Sequence, residues 1–180
     1  MTTVDGQVAA DVVLEHVRVP ASSRLGADAT TELGALADYA LIALCGEAIG
    51  ALDRAMALTI EYTRTRQQFG QPIARFQALQ HRMVDMKSRI EQARSLVYLA
   101  AARYDGADAR QRERDASAAK VLVSDAARYV GEQAVQLHGG MGVCDEMAIS
   151  HYFKRLLAAR VRLGSEALHL TRYASLLDAG

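Results

Sequence analysis

The segment from Arg66 to Gln77, which reads RQQFGQPIARFQ, combines groups that could bind a phosphate and a flat ring. An arginine guanidinium holds a phosphate through parallel charge-assisted hydrogen bonds, each worth about 1.5 to 3 kcal/mol. Phe69 offers an apolar face, while Gly70 and Pro72 predict the end of one helix before the start of the next. The segment is therefore predicted to be an arginine-bearing corner between two helices. An arginine that covers a helix end, with a phenylalanine in the core, is the alternative interpretation.

A second segment with binding chemistry, QLHGGMG, runs from Gln136 to Gly142. Glycines at a helix end permit a positive φ and allow backbone amides to approach a ligand closely. A simple helix cap would use the same residues. His138 in this segment is expected to form a local hydrogen bond.

These segments must be positioned by helices, because the chain has only two prolines, Pro20 and Pro72, and apolar residues recur at spacings of three and four. Four long helices are predicted, over about residues 31–66, 76–104, 112–137 and 149–177, the last interrupted near Gly164. Their small, alanine-rich stripes favour an all-α, antiparallel four-helix bundle.

The predicted apolar stripes differ between the first three helices. On the first helix the stripe is Leu33, Leu36, Ala40, Leu44, Ala48, Ala51, Ala55, Leu58 and Tyr62. On the second it is Phe76, Met83, Met86, Ile90, Ala93, Val97 and Ala100, and on the third Ala116, Ala119, Val123, Ala126, Val130, Ala134 and Leu137.

The N-terminal residues follow a different pattern, with alternating β-branched residues before Pro20 that predict a short extended segment with no partner strand. The 180 residues are 51% hydrophobic and carry a formal net charge of +0, which is typical of one globular domain and argues against nucleic acid or a membrane as the main partner. No metal site or disulfide is predicted from Cys45 and Cys144. No signal peptide or membrane span is recognised, so a cytoplasmic location is expected.

Two motifs together resemble one protein family. The run YTRTRQQFGQPIARFQALQHRMVDM, from Tyr62 to Met86, and the QLHGGMG segment have the order and spacing of the C-terminal domain of the acyl-CoA dehydrogenases. Asp5 to Gly26 resembles the last strand of that family's middle β-domain and the linker after it. Residues 1–26 are accordingly predicted to be a remnant of the β-domain, and residues 27–180 the C-terminal helical domain.

The resemblance implies an FAD site made between subunits. It implies that Arg66, Gln68 and Phe69 contact the flavin or the pyrophosphate, with Gln77 lining the same site. It also implies that three residues of the second segment contact the adenosine side of FAD: Gln136, Gly139 and Gly140.

The catalytic base is missing where the family places it. Family members remove the α-proton of an acyl-CoA with a glutamate that precedes a glycine, and Leu163 occupies that position before Gly164. The alternative base position, on the first helix, falls at about Ala40. Glu166 is a candidate if the alignment is displaced, and Glu47 is a candidate as a buried acid with a raised pKa. Both are more simply read as structural residues.

The resemblance implies α,β-dehydrogenation of an acyl-CoA with FAD, as part of a homo- or hetero-oligomer, a dimer or tetramer, with acyl-CoA dehydrogenase-like subunits. The isolated chain is expected to be inactive, and the base could come from a partner subunit. A heterotetrameric enzyme for a steroid or bulky acyl-CoA is a further possibility. The competing hypothesis is a non-catalytic structural subunit or fragment that lacks the base and binds no flavin.

Overall fold

The computed structural model describes residues 1–24, 26 and 29–178. Within them lie five α-helices: α1 (Thr30–Thr65), α2 (Gln77–Arg103), α3 (Ala109–His138), α4 (Ala148–Val161) and α5 (Glu166–Asp178). Two short strands, β1 (Gln67–Gln68) and β2 (Gln71–Pro72), pair antiparallel between α1 and α2. The predicted all-α, antiparallel bundle is confirmed, and the fourth predicted helix consists of α4 and α5 on either side of the predicted interruption.

Helix α3 is the central element, because it packs against each of the other four helices. Its first turn is capped by Asp108, whose carboxylate accepts a hydrogen bond from the Gln111 backbone N–H at 2.8 Å. All seven residues predicted for its apolar stripe are buried. The predicted stripe of α2 is also confirmed from Met86 onward. Alanines at these positions allow the helices to approach closely.

The predicted apolar stripe of α1 was only partly right: Ala48, Ala51 and Ala55 are buried, whereas the other six residues are partly or fully exposed. Leu33 and Leu36 are 61% and 60% exposed, and Leu58 is only partly buried. Besides these three alanines, the buried face consists of Asp38, Leu41, Ile42, Cys45, Ile49, Leu52, Met56, Thr59 and Thr63. This helix is apolar on nearly every side, so the periodicity alone does not select the face that meets α3.

The same composition makes α1 long and apolar enough to cross a membrane, with an 18-residue window of mean hydropathy 1.6. This is a test of length and composition only, which the core helix of a helical domain also passes. Of that window, 44% is buried against the rest of the bundle, as expected for a core helix of a helical domain.

The N-terminal residues form no regular strand among the described positions, and one isolated bridge joins Thr2 to Val8. Val12 and Leu14 are 82% and 76% exposed, as expected for an extended segment without a partner strand. Asp5 ties this segment to the bundle through an ion pair with Arg155 on α4. Ala27, where the helical domain was predicted to begin, lies outside the described residues.

Candidate functional site

The corner after α1 is a tight hairpin. The Arg66 backbone N–H donates to the Tyr62 carbonyl at 2.8 Å and so ends the helix, and the Ile73 N–H donates to the Arg66 carbonyl at 2.9 Å. At the tip, Phe69 and Gly70 have φ values of 52° and 78°. Two successive positive φ values are the mark of the two-residue turn that matches the twist of paired strands.

This hairpin and the C-terminal end of α3 enclose a cavity of about 600 Å³, which we call the corner cavity. Five of the seven predicted cofactor-binding residues line it, namely Arg66, Gln68, Gln136, Gly139 and Gly140. The other lining residues are Tyr62, Ile73, Leu137, His138, Met141 and Cys144. The structure therefore brings the two motifs, which are far apart in the sequence, to one concave surface.

The remaining two predicted residues lie beside the corner cavity. Phe69 is 91% exposed at the hairpin tip, and its ring meets the edge of Phe76 with 6.0 Å between the ring centroids. Gln77 is exposed at the first position of α2. The alternative in which Phe69 fills the core is wrong. Phe69 or Gln77 could contact a ligand bound in the corner cavity only if that ligand extended beyond the cavity.

His138 forms part of the wall rather than a free acid or base. It is 4% exposed, its Nδ1 lies 2.7 Å from the Ala134 carbonyl, and its ring stacks on Tyr62 with 4.4 Å between centroids. Because a carbonyl oxygen only accepts, Nδ1 carries the proton. The expected local hydrogen bond is confirmed.

The glycine-rich turn that follows, residues Gly139–Val143, is a 3-10 turn that fits closely over α3. A Cβ added at Gly142 would lie 2.5 Å from the Val135 carbonyl oxygen, so no larger residue fits there. Gly139 has a φ of 62°, and the space beside Gly139 and Gly140 is open. The backbone of these two glycines is therefore accessible from the cavity.

The polar groups of the corner cavity suit an anion. The Arg66 guanidinium has no hydrogen-bond or ion-pair partner among the described residues, and it lines the cavity wall. Gln68 and Gln136 each add an amide with two N–H donors and one acceptor. A guanidinium fork and amides with accessible glycine backbone are a donor set that fits a pyrophosphate.

A second cavity, of about 530 Å³, lies between α1 and the turn that joins α4 to α5, and we call it the turn cavity. Its lining residues are Ala40, Ala43, Leu44, Glu47, Arg162 and Leu163. Both positions at which the family resemblance places a base, 40 and 163, therefore face one cavity. Neither alanine nor leucine can accept a proton.

Glu47 is not the buried acid that the sequence suggested. Its side chain is 49% exposed, and it accepts a hydrogen bond from Arg155 Nε at 2.6 Å. It lies on a surface of α1 because the helix is rotated from the predicted stripe. The structural interpretation, a glutamate paired with a nearby arginine, is confirmed.

Glu166 begins α5 and is partly exposed. It is not among the residues that line the turn cavity. Among the residues that the structure describes, no group of three or more His, Cys, Asp or Glu side chains could hold a metal ion.

Sequence reasoning missed several buried ionisable residues, among them Asp38, Lys120 and His169, which are 1%, 1% and 3% exposed. Lys120 stands among the stripe residues of α3, four positions after Ala116, and this spacing was a usable signal. Burial lowers the pKa of Lys120 and raises that of the neighbouring Cys45 thiol to about 12. The sequence gives no such signal for Asp38, because the buried face of α1 was ambiguous. It gives none for His169, because α5 is too short to show a clear apolar stripe.

Known proteins share this domain. The family model for the C-terminal domain of acyl-CoA dehydrogenases matches residues 11–177. The chain is 38% identical over 147 residues to acyl-CoA dehydrogenase IpdE2 of Mycolicibacterium smegmatis, which covers 80% of this chain and 45% of that protein.

Among solved structures, the ChsE4-ChsE5 complex from Mycobacterium tuberculosis matches with a TM-score of 0.89 and 28% identity, over 100% of this chain and 48% of that one. PigA with FAD and proline matches with a TM-score of 0.73 and 32% identity, over 79% and 37%. The chain belongs to the acyl-CoA dehydrogenase family and corresponds to its C-terminal helical domain. It spans less than half the length of these relatives.

Proposed function

We propose that this chain is the C-terminal helical part of an acyl-CoA dehydrogenase-like flavoprotein and contributes FAD contacts to an oligomeric assembly. The single observation that carries the proposal is the corner cavity, in which five residues from two distant motifs converge. The matched PigA structure contains FAD, and membership of the family supports FAD as the cofactor here.

Some residues of the corner cavity are assigned to the charge of the ligand and others to its close approach. Arg66 is assigned to the pyrophosphate, because an unpaired guanidinium on an open wall can meet two adjacent negative charges. Gln68 and Gln136 supply amide donors, while Gly139 and Gly140 let the ligand reach the backbone. Phe69 and Gln77, on the exposed hairpin tip and the start of α2, are assigned to the part of an FAD that is held by a neighbouring subunit.

The turn cavity is assigned to the acyl-CoA. In the reaction a base removes the α-proton, a hydride leaves the β-carbon, and a carbon–carbon double bond forms. FAD supplies the acceptor for that hydride. Ala40 and Leu163 make this chain's wall apolar where a base is needed, so we propose that a partner subunit supplies the base or that this subunit is not catalytic. The matched ChsE4-ChsE5 complex, which contains two differently named components, favours a hetero-oligomer over a homo-oligomer.

A substitution in the turn cavity tests this assignment. In a reconstituted, FAD-loaded assembly that includes the domains the relatives carry outside the matched region, Leu163→Glu should create or raise acyl-CoA-dependent bleaching of the flavin absorbance. General bases contribute about 10²- to 10⁴-fold in rate, so the gain should be large. Leu163→Gln is the matched control, since it adds polarity without a base, and Glu166→Gln should change little.

The opposite pattern contradicts the assignment. If the unmodified assembly bleaches and Glu166→Gln abolishes the bleaching, Glu166 is the base and the alignment at residue 163 is displaced. A colourless assembly, with no flavin spectrum from this chain alone or mixed with its partner, would favour the structural subunit instead.

A further inference from the structure

The turn between α4 and α5 has a backbone conformation that needs support. Leu163 has a φ of 55° and Gly164 a φ of 106°. A leucine in the left-handed region is uncommon and persists only where surrounding contacts hold it. Leu163 itself is 51% exposed on the turn cavity, so its side chain does not supply those contacts.

Lys120 holds the turn from the central helix. Its Nζ donates to the Ala159 carbonyl and, at 2.9 Å, to the Arg162 carbonyl. The last carbonyls of a helix have no partner within the helix and attract a cation. A lysine that is 1% exposed is costly to bury, so its position is justified only by strong contacts such as these.

His169 holds the next carbonyl from the opposite side. Its Nε2 lies 2.8 Å from the Leu163 carbonyl, which only accepts, so Nε2 carries the proton. Nδ1 faces the Ser117 hydroxyl at 3.4 Å. Two buried side chains, from α3 and α5, thus hold the consecutive carbonyls of residues 162 and 163.

The contacts continue to the other wall of the turn cavity. Arg172 on α5 lies 3.5 Å from the Ser117 hydroxyl and donates to Asp38 on α1 at 2.8 Å. Asp38 is two positions before Ala40, which lines the cavity opposite the turn. A polar network therefore connects α3, α5 and α1 behind the turn.

We propose that Lys120 and His169 are positioning residues that hold the Arg162–Ser165 turn so that the side chain of residue 163 faces the turn cavity. The identity of that cavity as the acyl-CoA site rests on the proposed function. The positioning of the turn does not, because it follows from the contacts alone.

A local NMR measurement on the 180-residue chain tests the positioning. The three-bond HN–Hα coupling of residue 163 depends on φ, and hydrogen exchange at the Arg162 and His169 amides reports opening of the turn. His169→Leu and Lys120→Met should each change the coupling and speed this exchange at least about tenfold, the effect of losing one hydrogen bond. His169→Gln retains a donor and should restore both values.

The controls are His81→Gln, on the exposed surface of α2, and Lys87→Met, which removes an exposed lysine paired with Glu91. Both should leave the turn unchanged. An unchanged coupling and exchange rate in folded His169→Leu and Lys120→Met overturns the proposal. If His169→Leu does not fold, Lys120→Met decides: a changed coupling and faster exchange support the proposal, and native values overturn it.

A second measurement tests whether the turn affects the rate of flavin bleaching. In the Leu163→Glu assembly, adding His169→Leu should lower the bleaching rate at saturating acyl-CoA about tenfold without changing the half-saturating concentration, and His169→Gln should recover it. A fall in the bleaching rate matched by an equal rise in the half-saturating concentration of acyl-CoA would contradict a positioning role for His169. If Leu163→Glu alone never bleaches, the proposed function fails while the NMR result still stands.

Discussion

Arg66 is the residue in the corner cavity whose charge has no partner within the described chain. Replacing it with alanine leaves one pyrophosphate charge unmatched at about 1.5 to 3 kcal/mol, which corresponds to roughly ten- to a hundredfold in FAD affinity. The measurement is FAD retention by the assembled complex on dilution, followed by flavin absorbance. Arg66→Lys should also weaken retention, because a point charge cannot make the two parallel bonds.

Arg64 provides the matched control for this prediction. It is exposed two positions earlier on the same helix end, and it lines a different groove between α1 and α2. Arg64→Ala should retain FAD as the unmodified assembly does. Full FAD occupancy of the Arg66→Ala assembly after dilution would show that Arg66 is a helix-end residue only.

At the scale of elements, the glycine-rich turn after α3 depends on Gly142. Because a Cβ there would meet the Val135 carbonyl oxygen at 2.5 Å, Gly142→Ala must displace the turn or strain α3. We expect a loss of about 1 to 3 kcal/mol in the free energy of unfolding. Chemical denaturation followed by circular dichroism measures it.

Gly50→Ala is the comparison, because this glycine lies inside α1 with open space beside it. Alanine is the better helix former, so this variant should be more stable by about 0.8 to 1 kcal/mol. Equal stabilities for the two variants would mean that the turn can move away from α3 at no cost.

The contact between α5 and the turn should also make stability depend on pH. Burial lowers the pKa of His169 below its ordinary 6.5, and the charges of Lys120 and Arg172 act in the same direction. The unfolded chain then binds more protons than the folded one, so the free energy of unfolding falls as pH drops below 6.5 towards the folded pKa. Above 6.5 this contribution is fully present.

Denaturation curves of the unmodified chain and His169→Gln across this pH range measure the effect. The variant should have a shallower pH dependence, whereas His81→Gln, exposed on α2, should keep the original one. Parallel curves for the unmodified chain and His169→Gln would show that His169 titrates as an exposed histidine does.

At the scale of the whole molecule, several large apolar side chains lie exposed on the bundle. Leu33, Leu36 and Tyr39 on α1 are 61%, 60% and 58% exposed, and Tyr98 on α2 is 63% exposed. Apolar surface of this kind is typical of a face that meets more protein. We expect the chain to associate as a dimer or tetramer, which sedimentation velocity over a range of concentrations measures.

A monomer at tens of micromolar would contradict this expectation. Leu36→Lys should weaken the association by placing a charge on that face. Val161→Lys is a control at an exposed apolar residue of α4, on another part of the bundle. It should leave association unchanged if the interface lies on α1 and α2.

The sequence by itself determined the helical class, the positions of the helix ends and the two motifs of the corner cavity. It could do so because helical periodicity, prolines and glycines act locally. The stripes of α2 and α3 were also readable, since each has one apolar face and one polar face. The prediction that Leu163 stands at the position of the family's glutamate needed only the motif spacing.

Only the tertiary structure decided which face of α1 is buried, because that helix is apolar nearly all round and its neighbours choose the face. This rotation exposes Glu47 to pair with Arg155 and places Ala40 opposite Leu163. It also brings Asp38 into the polar network that ends at His169. Such contacts join residues from about fifty to more than a hundred positions apart, and no local pattern encodes a pairing at that distance.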